Sequence, residues 1–543
     1  MESLKSFKAA GPDEIMAEVL KAGGTAVVDW MHRIIQKVWR TETVVEEWRM
    51  STIVPVLKKG DNYRGISLLS IPSKVLAKVL YRRIEEKVEP QLHEAQCGFR
   101  KGRGCVDQIF NLRECMSASR QKGKPLYVCF IDLRKAYDSV NRELLWQAMK
   151  TYGISGKIVR IVSSLYENTR AKVRVNGVLS ECLLLKTGVK QGCVLSPLLF
   201  NIFIDWVVRR VLKSMGDSGI EIRYSKKKKE LHVKEKDRTA RTLVNMLMYA
   251  DDMAVMDSEC GNVSRFLVEL DEQLCRVGMM MNVKKTKMMV LDGKIEEPIM
   301  IRGEKIEEEN NFTYLGVSMR PEPSSGAEVA IRIAKAVKVF RALYHPLWKR
   351  RQVSVETKIG IYRAAVLPVL LYGAEVWVLS VKESTRLEVF HRKCLRVILG
   401  ITKRDHWRNE RVLEETGMCD VGELVTRSRL RWLGHVVRMG EDRLPPQMLY
   451  GSLEGRGKVG RPVGRWKDMI EGDIRKREVI GWYDLAQDRK LWRSVVAGER
   501  IDAAVKRRRR GMQLESRQKQ EDSKQEDGAM SEGVDMSDMR PKI

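Results

Sequence analysis

Hydrophobic positions along this chain recur with two different periods, and each period predicts one kind of element. Short apolar runs that are rich in β-branched or aromatic residues predict strands at residues 51–57, 63–69, 126–131 and 288–291. Longer runs with apolar residues three and four positions apart predict helices at residues 72–88, 142–152, 198–212 and 263–277. Strands and helices are therefore both expected in the same part of the chain.

Helical patterns dominate the two ends of the chain. Residues 1–45 are predicted to form a helical N-terminal extension, and Pro321–Ser325 is typical of a linker that precedes a second helical region. The predicted domains are 1–45, a mixed region at 46–320, a helical region at 321–400 and a basic, helical C-terminal region at 401–500. Residues 501–543 are polar and almost free of aromatic residues, so we expect a disordered tail.

The charge balance indicates a polyanionic partner. Lysine and arginine number 99 against 71 acidic residues, a formal net charge of +28, and nucleic acid is the usual partner of such a chain. The 10 cysteines include no Cys-x-x-Cys pair, which argues against a zinc site and for reduced thiols. No apolar run is long enough for a membrane span and no signal peptide is visible, so we expect an intracellular protein of the nucleus and cytoplasm.

The candidate chemistry centres on a bare pair of acids. Asp251 and Asp252 lie between two short apolar runs, a pattern that predicts a β-hairpin with both carboxylates at its tip. Adjacent carboxylates repel each other, and a bound cation relieves that repulsion. Asp132 directly follows the predicted strand 126–131, where a carboxylate is costly unless it is paired or binds a metal. Oxygen ligands of this kind favour Mg²⁺ or Mn²⁺.

Three loops carry candidate ligand-binding groups. Lys58, Lys59 and Arg64 lie where two predicted strands meet and could offer positive charge to phosphates, although an exposed hairpin with solubilising lysines fits the pattern equally well. A glycine-spaced loop at 96–104 carries Arg100 and Arg103, which could grip phosphate or sugar edges bidentately. A third loop, at 187–197, is flanked by glycines and opens the predicted helix 198–212.

These motifs resemble, in order and spacing, the reverse transcriptase of non-LTR (LINE-type) retrotransposons, most closely the branch whose elements carry an apurinic-type endonuclease. The resemblance extends from about Lys8 to about Ile470. The matching segments are 62–66, 96–100, 129–138, 188–201, 249–252, 278–286 and 314–316. An endonuclease would lie upstream in that family, so we expect this chain to lack one and DNA nicking to come from elsewhere.

The resemblance implies an α+β fold of the right-hand polymerase type, with fingers and an antiparallel palm sheet at 46–320 and a helical thumb at 321–400. Its pattern makes Asp132 and Asp251 the principal ligands of two divalent ions, with Asp252 close to the metals. Nucleotide addition needs a deprotonated primer 3′-hydroxyl and a neutralised pyrophosphate, and two ions roughly 3.5–4 Å apart serve both needs. The implied partners are an RNA template, a DNA primer or target, and dNTPs.

The same resemblance implies roles for residues around the acids. The ring of Tyr137 would crowd a ribose 2′-hydroxyl and so favour dNTPs, although a packing tyrosine is the alternative. Gln191 and Gly192 would cradle the incoming nucleotide. The remaining implied contacts are Arg64 with Lys58 or Lys59 on the triphosphate, Lys285 on the leaving pyrophosphate, and Tyr314 with Gly316 in the strand that grips the primer.

Two other functions remain open on the sequence alone. One is a catalytically silent nucleic-acid-binding remnant, because the segment between Lys59 and Tyr63 is shorter than is usual in the family. The other is a right-hand polymerase with different template use, such as an RNA-dependent RNA polymerase. Asp468 and Asp473, in a predicted amphipathic helix, are interpreted as solvated helix-face charges rather than as a second active site.

Overall fold

The fold mixes strands and helices along most of the chain. A computed structural model describes residues 1–2, 4–59, 62–226, 230–322, 325–455 and 464–499, without the side chains of Lys59, Asn62 and Lys403. The strands are β1 (Met50–Lys59), β2 (Asn62–Leu69), β3 (Leu126–Ile131), β4 (Arg170–Val175), β5 (Val178–Leu179), β6 (Leu183–Leu184), β7 (Ile220–Tyr224), β8 (Ala240–Val244), β9 (Met246–Tyr249), β10 (Asp252–Asp257), β11 (Lys287–Leu291), β12 (Met300–Ile301), β13 (Glu304–Lys305), β14 (Glu307–Glu308), β15 (Phe312–Tyr314), β16 (Val317–Met319) and β17 (Gly451–Ser452).

Helices occupy both ends of the described chain. They are α1 (Ala17–Ala22), α2 (Gly24–Thr41), α3 (Ile71–Val88), α4 (Cys105–Lys122), α5 (Arg142–Thr151), α6 (Gly156–Tyr166), α7 (Ser196–Met215), α8 (Cys260–Arg276), α9 (Gly326–Ala342), α10 (Val355–Ile361), α11 (Leu367–Leu370), α12 (Val381–Leu399), α13 (Asn409–Thr416), α14 (Val421–Val437), α15 (Leu444–Leu449), α16 (Trp466–Lys476), α17 (Trp482–Gln487) and α18 (Arg489–Ala497). The strands and helices predicted from periodicity are confirmed to within a few residues at their ends.

Two five-stranded sheets organise the mixed region. The first sheet has the order β2-β1-β4-β5, with β6 also paired to β4. The central sheet has the order β14-β11-β3-β10-β9, and β3 is antiparallel to both β10 and β11. Every residue of β3 is buried, as its unbroken apolar sequence predicts for a strand at the centre of a sheet.

Turn chemistry sets the ends of several strands. Asn176 and Gly177 have φ values of 49° and 84° between β4 and β5, the left-handed pair that an Asn-Gly hairpin turn requires. Leu315 and Gly316 have φ values of 47° and 81° and join β15 to β16 in the same manner. Asn176 and Gly177 both tolerate a positive φ, so the hairpin between β4 and β5 is predictable from the sequence. Leu315 does not favour this conformation, and the β15–β16 hairpin is not predictable in the same way.

The chain divides into two compact units. Unit 1 contains Met1–Lys226, Val233–Pro323 and Asp442–Val463, and its core packs α5, α7 and α8 around the central sheet. Unit 2 contains Lys227–His232, Ser324–Glu441 and Gly464–Ile543, and its core is built from buried residues of α9, α12 and α14 and the segments between them. A short C-terminal segment, beginning at Asp442, therefore belongs to the unit that carries the central sheet.

One prediction about unit 2 is wrong. Asp473 was expected to be a solvated charge, but it is 2% exposed and accepts bidentate hydrogen bonds from Arg429 at 2.6 and 2.9 Å. Thr426 Oγ1 donates a third hydrogen bond to it at 3.0 Å. The charge is buried because a partner on α14 compensates it fully. Asp468, in contrast, remains substantially exposed at the start of α16.

Some predictions concern residues that the structure does not cover. The tail predicted at 501–543 lies outside the described residues, as do the tip of the β1–β2 hairpin and residues 456–463. Over the residues that are described, no helix has the length and apolar content needed to cross a membrane.

Candidate active site

The three candidate carboxylates lie at one end of the central sheet. Ile131 on β3 pairs with Met253 on the antiparallel strand β10, so Asp132, which follows Ile131, lies opposite Asp252, which precedes Met253. Asp251 immediately precedes Asp252, in the turn between β9 and β10. The hairpin predicted around the acid pair is confirmed, and it brings together acids 119 positions apart in the sequence (251 − 132).

The electrostatics of these acids show that they share one small region. Burial raises the pKa of Asp251, and the Asp132 carboxylate raises it further. Burial, followed by the charges of Asp251 and Asp132, raises the pKa of Asp252 to about 6. Lys58 and Arg64 act on both acids in the opposite direction. The site therefore concentrates negative charge that the protein compensates only in part, which is the condition for binding a cation.

Asp132 is oriented by the segment that precedes β11. Asn282 donates from Nδ2 to Asp132 Oδ2 at 3.0 Å, and its backbone N–H donates to the Asp132 carbonyl at 2.8 Å. Lys285 Nζ lies 3.8 Å from the same carboxylate and is mostly exposed. Asn282 was recognised from the sequence only as part of a motif, and its contact identifies it as the residue that fixes the Asp132 rotamer.

A strained turn presents Asp251, and the loop at 96–104 supports it. Ala250 has a φ of 59°, a left-handed conformation that costs energy for a residue with a Cβ atom. Gln96 Oε1 accepts hydrogen bonds from the backbone N–H groups of Ala250 and Gly98, both at 2.8 Å. A Cβ atom on Gly98 would lie 2.2 Å from Ala250 N, so glycine is required for this approach. The loop therefore has a structural role next to the acids.

Tyr137 forms an aromatic wall beside the acids. Its ring stacks on Phe200 with centroids 4.6 Å apart and meets Phe99 edge-on at 6.5 Å. Burial and the nearby Asp251 carboxylate both raise its pKa, and its hydroxyl has no hydrogen-bond partner among the described residues. Phe99 is half exposed, has a φ of 57° and was not assigned a role from the sequence. A large aromatic residue held in a left-handed conformation was the signal that could have identified it.

The loop that carries Gln191 and Gly192 lies against β2. Ser67 N donates to the Gln191 carbonyl at 2.7 Å, and a Cβ atom on Gly192 would lie 2.5 Å from Ser67 O. Lys190, to which the sequence analysis assigned no role, anchors the loop to the protein interior. Its Nζ donates to the carbonyls of Leu165 at 3.0 Å and Trp48 at 3.4 Å. Both predicted nucleotide-binding residues are therefore on a fixed loop.

The predicted triphosphate cations lie on the β1–β2 ribbon. Lys58 and Arg64 are exposed, and both lower the pKa of Asp251 and Asp252 through charge interactions. Arg64 also lowers the pKa of Tyr137. The side chain of Lys59 lies outside the described residues. Lys58 and Arg64 thus stay available to a ligand while they influence the acids.

The structure favours an internal role for two predicted nucleic-acid contacts. Arg100 is 7% exposed and donates to Glu89 Oε1 at 2.8 Å and to the carbonyls of His93, Gln96 and Glu89. The side chain of Arg103 is also 7% exposed and pairs with Glu94 at 2.7 Å. As a correction to the expected phosphate contacts, these guanidinium groups use their donors to hold the loop at 96–104 together.

Tyr314 also differs from what its motif implies. Its side chain is 2% exposed and packs near Phe130, with ring centroids 5.5 Å apart. Direct contact with a primer is therefore not a role for the Tyr314 ring, because the ring belongs to the packing beneath the central sheet. Gly316 is exposed in the β15–β16 turn, and the prediction that it contacts nucleic acid stays a prediction.

The number of side-chain ligands that lie close together limits which metal ion the site could hold. Among the described residues, no three His, Cys, Asp or Glu side chains are grouped closely enough to hold a metal by themselves. Mg²⁺ needs fewer, because it usually takes one or two carboxylates and completes its coordination with water and substrate phosphates. Asp132 and Asp251 fit that requirement, since both offer carboxylate oxygens and the charges of Lys58 and Arg64 act on Asp251.

Comparison with known proteins identifies the domain. Residues 56–319 match the family described as "Reverse transcriptase (RNA-dependent DNA polymerase)". The chain thus carries a domain of the reverse transcriptase family, and the predicted right-hand polymerase class is confirmed for this region. The match contains Lys58, Arg64, the three acids and both residues of the nucleotide loop.

The similar curated proteins are polymerases of mobile elements. The chain is 24% identical over 420 residues to a probable RNA-directed DNA polymerase from transposon BS of Drosophila melanogaster, covering 73% of this chain and 44% of that protein. It is 23% identical to the RNA-directed DNA polymerase from mobile element jockey of Drosophila funebris, covering 74% and 43%. Both relatives are named as RNA-directed DNA polymerases of mobile elements, and the chain spans under half of the length of each.

Solved structures give a weaker likeness. Apo telomerase from Candida tropicalis aligns with a TM-score of 0.39 and 13% identity, covering 81% of this chain and 74% of that chain. Telomerase from Candida albicans in complex with a fragment of telomeric RNA aligns with a TM-score of 0.35, covering 76% and 66%.

Proposed function

We propose that this protein is an RNA-directed DNA polymerase that extends a primer 3′-hydroxyl with dNTPs, using divalent metal ions held by Asp132 and Asp251. The observation that carries the proposal is the convergence of these acids, Tyr137 and the Lys58–Arg64 cations around one end of the central sheet. The reverse transcriptase family match over residues 56–319 supports the same chemistry. We assign fingers and palm to 46–320 and a thumb to 321–400.

Each residue of the site has a role that follows from its surroundings. Asp132 and Asp251 hold the ions, with Asp252 adding negative charge beside them. Asn282 orients Asp132 by its hydrogen bond at 3.0 Å. When bound, two Mg²⁺ or Mn²⁺ ions supply activation of the attacking hydroxyl and neutralisation of the leaving group. We assign Lys285, whose Nζ lies 3.8 Å from Asp132, to the leaving pyrophosphate.

Binding and selection of the nucleotide fall to three other groups. Exposed Lys58 and Arg64 attract the triphosphate, since charge-assisted contacts to phosphate are strong. Gln191 and Gly192 present the fixed loop to the base and sugar. Tyr137, stacked on Phe200, offers a rigid ring where a 2′-hydroxyl would otherwise fit, and this favours dNTPs over rNTPs.

A primer-extension assay tests the proposal against its alternatives. Purified protein is given poly(rA) annealed to oligo(dT), with dTTP or UTP and with Mg²⁺ or Mn²⁺. We expect metal-dependent extension with dTTP and far less with UTP. Extension that prefers UTP would indicate an RNA polymerase. Binding of the duplex without any extension, in either metal, would indicate a catalytically silent nucleic-acid-binding protein.

A further inference from the structure

A segment near the C-terminus is built into unit 1. Between Asp442 and Leu453 the chain forms α15, which packs on α4, and β17, which pairs antiparallel with β7. Gly451 pairs with Tyr224 and Ser452 with Arg223. A Cβ atom on Gly451 would lie 2.4 Å from Gln447 O and 2.5 Å from Ile222, so the fit here is close. We call residues 442–453 the strap. It lies outside the 56–319 family match.

Arg443 attaches the strap to two acids of the mixed region. Its Nε lies 3.0 Å from Glu94 Oε1, and its terminal nitrogen lies 2.8 Å from Asp107 Oδ2. The backbone N–H of Leu444 donates to Glu94 as well, at 3.2 Å. Asp107 is 1% exposed, and the Arg443 side chain is 14% exposed. Removing the cation would leave a buried carboxylate without its compensating charge, which is costly.

Both acids adjoin the loop that supports the catalytic turn. Glu94 also pairs with Arg103 at 2.7 Å. Gln108, the residue after Asp107, donates to the Met248 carbonyl at 2.9 Å. The Met248 N–H donates in turn to the Ala95 carbonyl at 2.8 Å, and Met248 is followed by the turn of Asp251.

These contacts form a continuous series from the strap to the metal-binding edge. Arg443 holds Glu94 and Asp107, and Ala95, Cys97 and Gln108 hydrogen-bond to Met248. Gln96 Oε1 then accepts the Ala250 N–H at 2.8 Å. Ala250 has a strained left-handed conformation, and such conformations persist only where the surroundings impose them. The loop at 94–97 imposes the left-handed conformation of Ala250.

We propose that Arg443 is a positioning residue for the polymerase site, and that the strap completes the unit by fixing the loop that holds Ala250 and Asp251 in place. This inference rests on the proposed function for its kinetic consequences but not for its structural ones. Arg443 lies more than 120 residues after the end of the family match, and through these contacts it sets the geometry of the turn that carries Asp251.

The test uses Arg443→Met in the full chain, with Arg475→Met as the matched control. Arg475 is a largely exposed arginine whose carboxylate partner, Glu471, is its neighbour on the same helix. We expect kcat for dTTP extension to fall about 10-fold to 100-fold in Arg443→Met, because small displacements of reacting groups have effects of that size. KM for dTTP should change less than twofold, since Lys58 and Arg64 do not move. Equal kcat in the two variants would overturn the inference.

A second substitution separates positioning from general damage. Asp107→Asn in the Arg443→Met background removes the stranded carboxylate but does not rebuild the contact to Glu94, so we expect it to recover stability to urea while kcat stays low. Recovery of kcat to the wild-type value in this double variant would show that the bridge is not needed for positioning, and would overturn the inference. If Arg443→Met does not fold, Arg443→Lys retains the charge but cannot bridge two acids. It should then show the same kcat-specific loss, and normal kcat in Arg443→Lys would contradict the proposal.

Amide hydrogen exchange distinguishes failure of this inference from failure of the proposed function. Arg443→Met should accelerate exchange at the Cys97 and Ala250 amides, which hydrogen-bond within this series, while the amides of α8 stay protected. This readout needs no catalytic activity. Unchanged exchange at both amides would overturn the inference even in an active enzyme. Faster exchange in a protein that extends no primer would sustain the positioning role and reject the polymerase proposal.

Discussion

Acidic residues in the two units differ in how completely the protein compensates them. In unit 2, Asp473 has both carboxylate oxygens bonded by Arg429 and a third hydrogen bond from Thr426. In unit 1, Asp132 is 40% exposed and has one amide donor with a lysine 3.8 Å away. Asp473, whose hydrogen-bond partners all lie inside the protein, therefore stabilises the fold. The acids around Asp132 have incomplete partners and are the candidates for binding a ligand.

The largest effect should follow from altering the incompletely compensated acids. Asp132→Asn or Asp251→Asn should abolish primer extension, because removing an electrostatic anchor at a reacting centre typically costs on the order of 10²–10³ or more in rate. Thermal stability should be retained or rise slightly, since repulsion among carboxylates is relieved. The measurement is kcat/KM for dTTP together with the melting temperature, and template affinity serves as the control for folding.

Asp217→Asn is the matched control for that pair. Asp217 is an exposed aspartate of the same unit, close in sequence to Gly219, whose N–H donates to Asp257 at the end of β10 opposite to Asp252. Its substitution should leave extension within about twofold of wild type, as is usual for surface changes. If Asp251→Asn kept more than a tenth of wild-type extension, the assignment of the acid cluster as the metal site would be wrong.

The fully compensated acid should respond in the opposite way. Arg429→Met leaves Asp473 charged and buried, and breaking a buried ion pair costs about 3–5 kcal/mol of folding free energy. Urea unfolding should therefore show a large loss of stability, whereas kcat at low temperature, where the variant is still folded, should stay near wild type. The double variant Arg429→Met/Asp473→Leu should recover part of the lost stability, and absence of any recovery would contradict the pairing.

The sequence predicted one side of this comparison and missed the other for a physical reason. Asp132 and Asp251 stand next to apolar strands whose periodicity is visible in the sequence. The pairing of β3 with β10 joins distant segments, and only the resemblance to a polymerase family implied that the two acids meet. Asp473 and Arg429 are separated by 44 residues on different helices, and no periodicity reveals such a partner. The prediction for Arg100 was wrong for the same reason. A glycine-rich loop with cations predicts phosphate binding, and the sequence does not show that Glu89 pairs with Arg100.

A smaller effect is expected at the aromatic wall. Tyr137→Ala should raise the rNTP/dNTP ratio of kcat/KM on the order of 10-fold to 100-fold, since rejection of one hydroxyl is worth about that much. The loss of dNTP extension should be smaller than the gain for rNTPs. Phe99→Ala removes the edge contact that limits movement of the ring, so it should shift the same ratio in the same direction but less. An unchanged ratio in Tyr137→Ala would make Tyr137 a packing residue.

The smallest effect concerns Lys190, a buried cation that contacts two carbonyl groups and the face of the Tyr166 ring. Burial lowers the pKa of Lys190 to about 8, well below its ordinary value, and the charges of Arg142 and Arg49 act in the same direction. Below pH 8 the folded protein must carry this charge inside. Between pH 8 and about 10.4 the unfolded chain still holds the proton that the folded chain has released, so the group favours folding more as pH rises. Lys190→Met lacks this titration, and the melting temperature of wild type relative to the variant should increase by a few degrees from pH 8 to pH 10. A difference that stays constant or falls over this range would show that Lys190 keeps its proton and that the anchor of the nucleotide loop is a permanent ammonium.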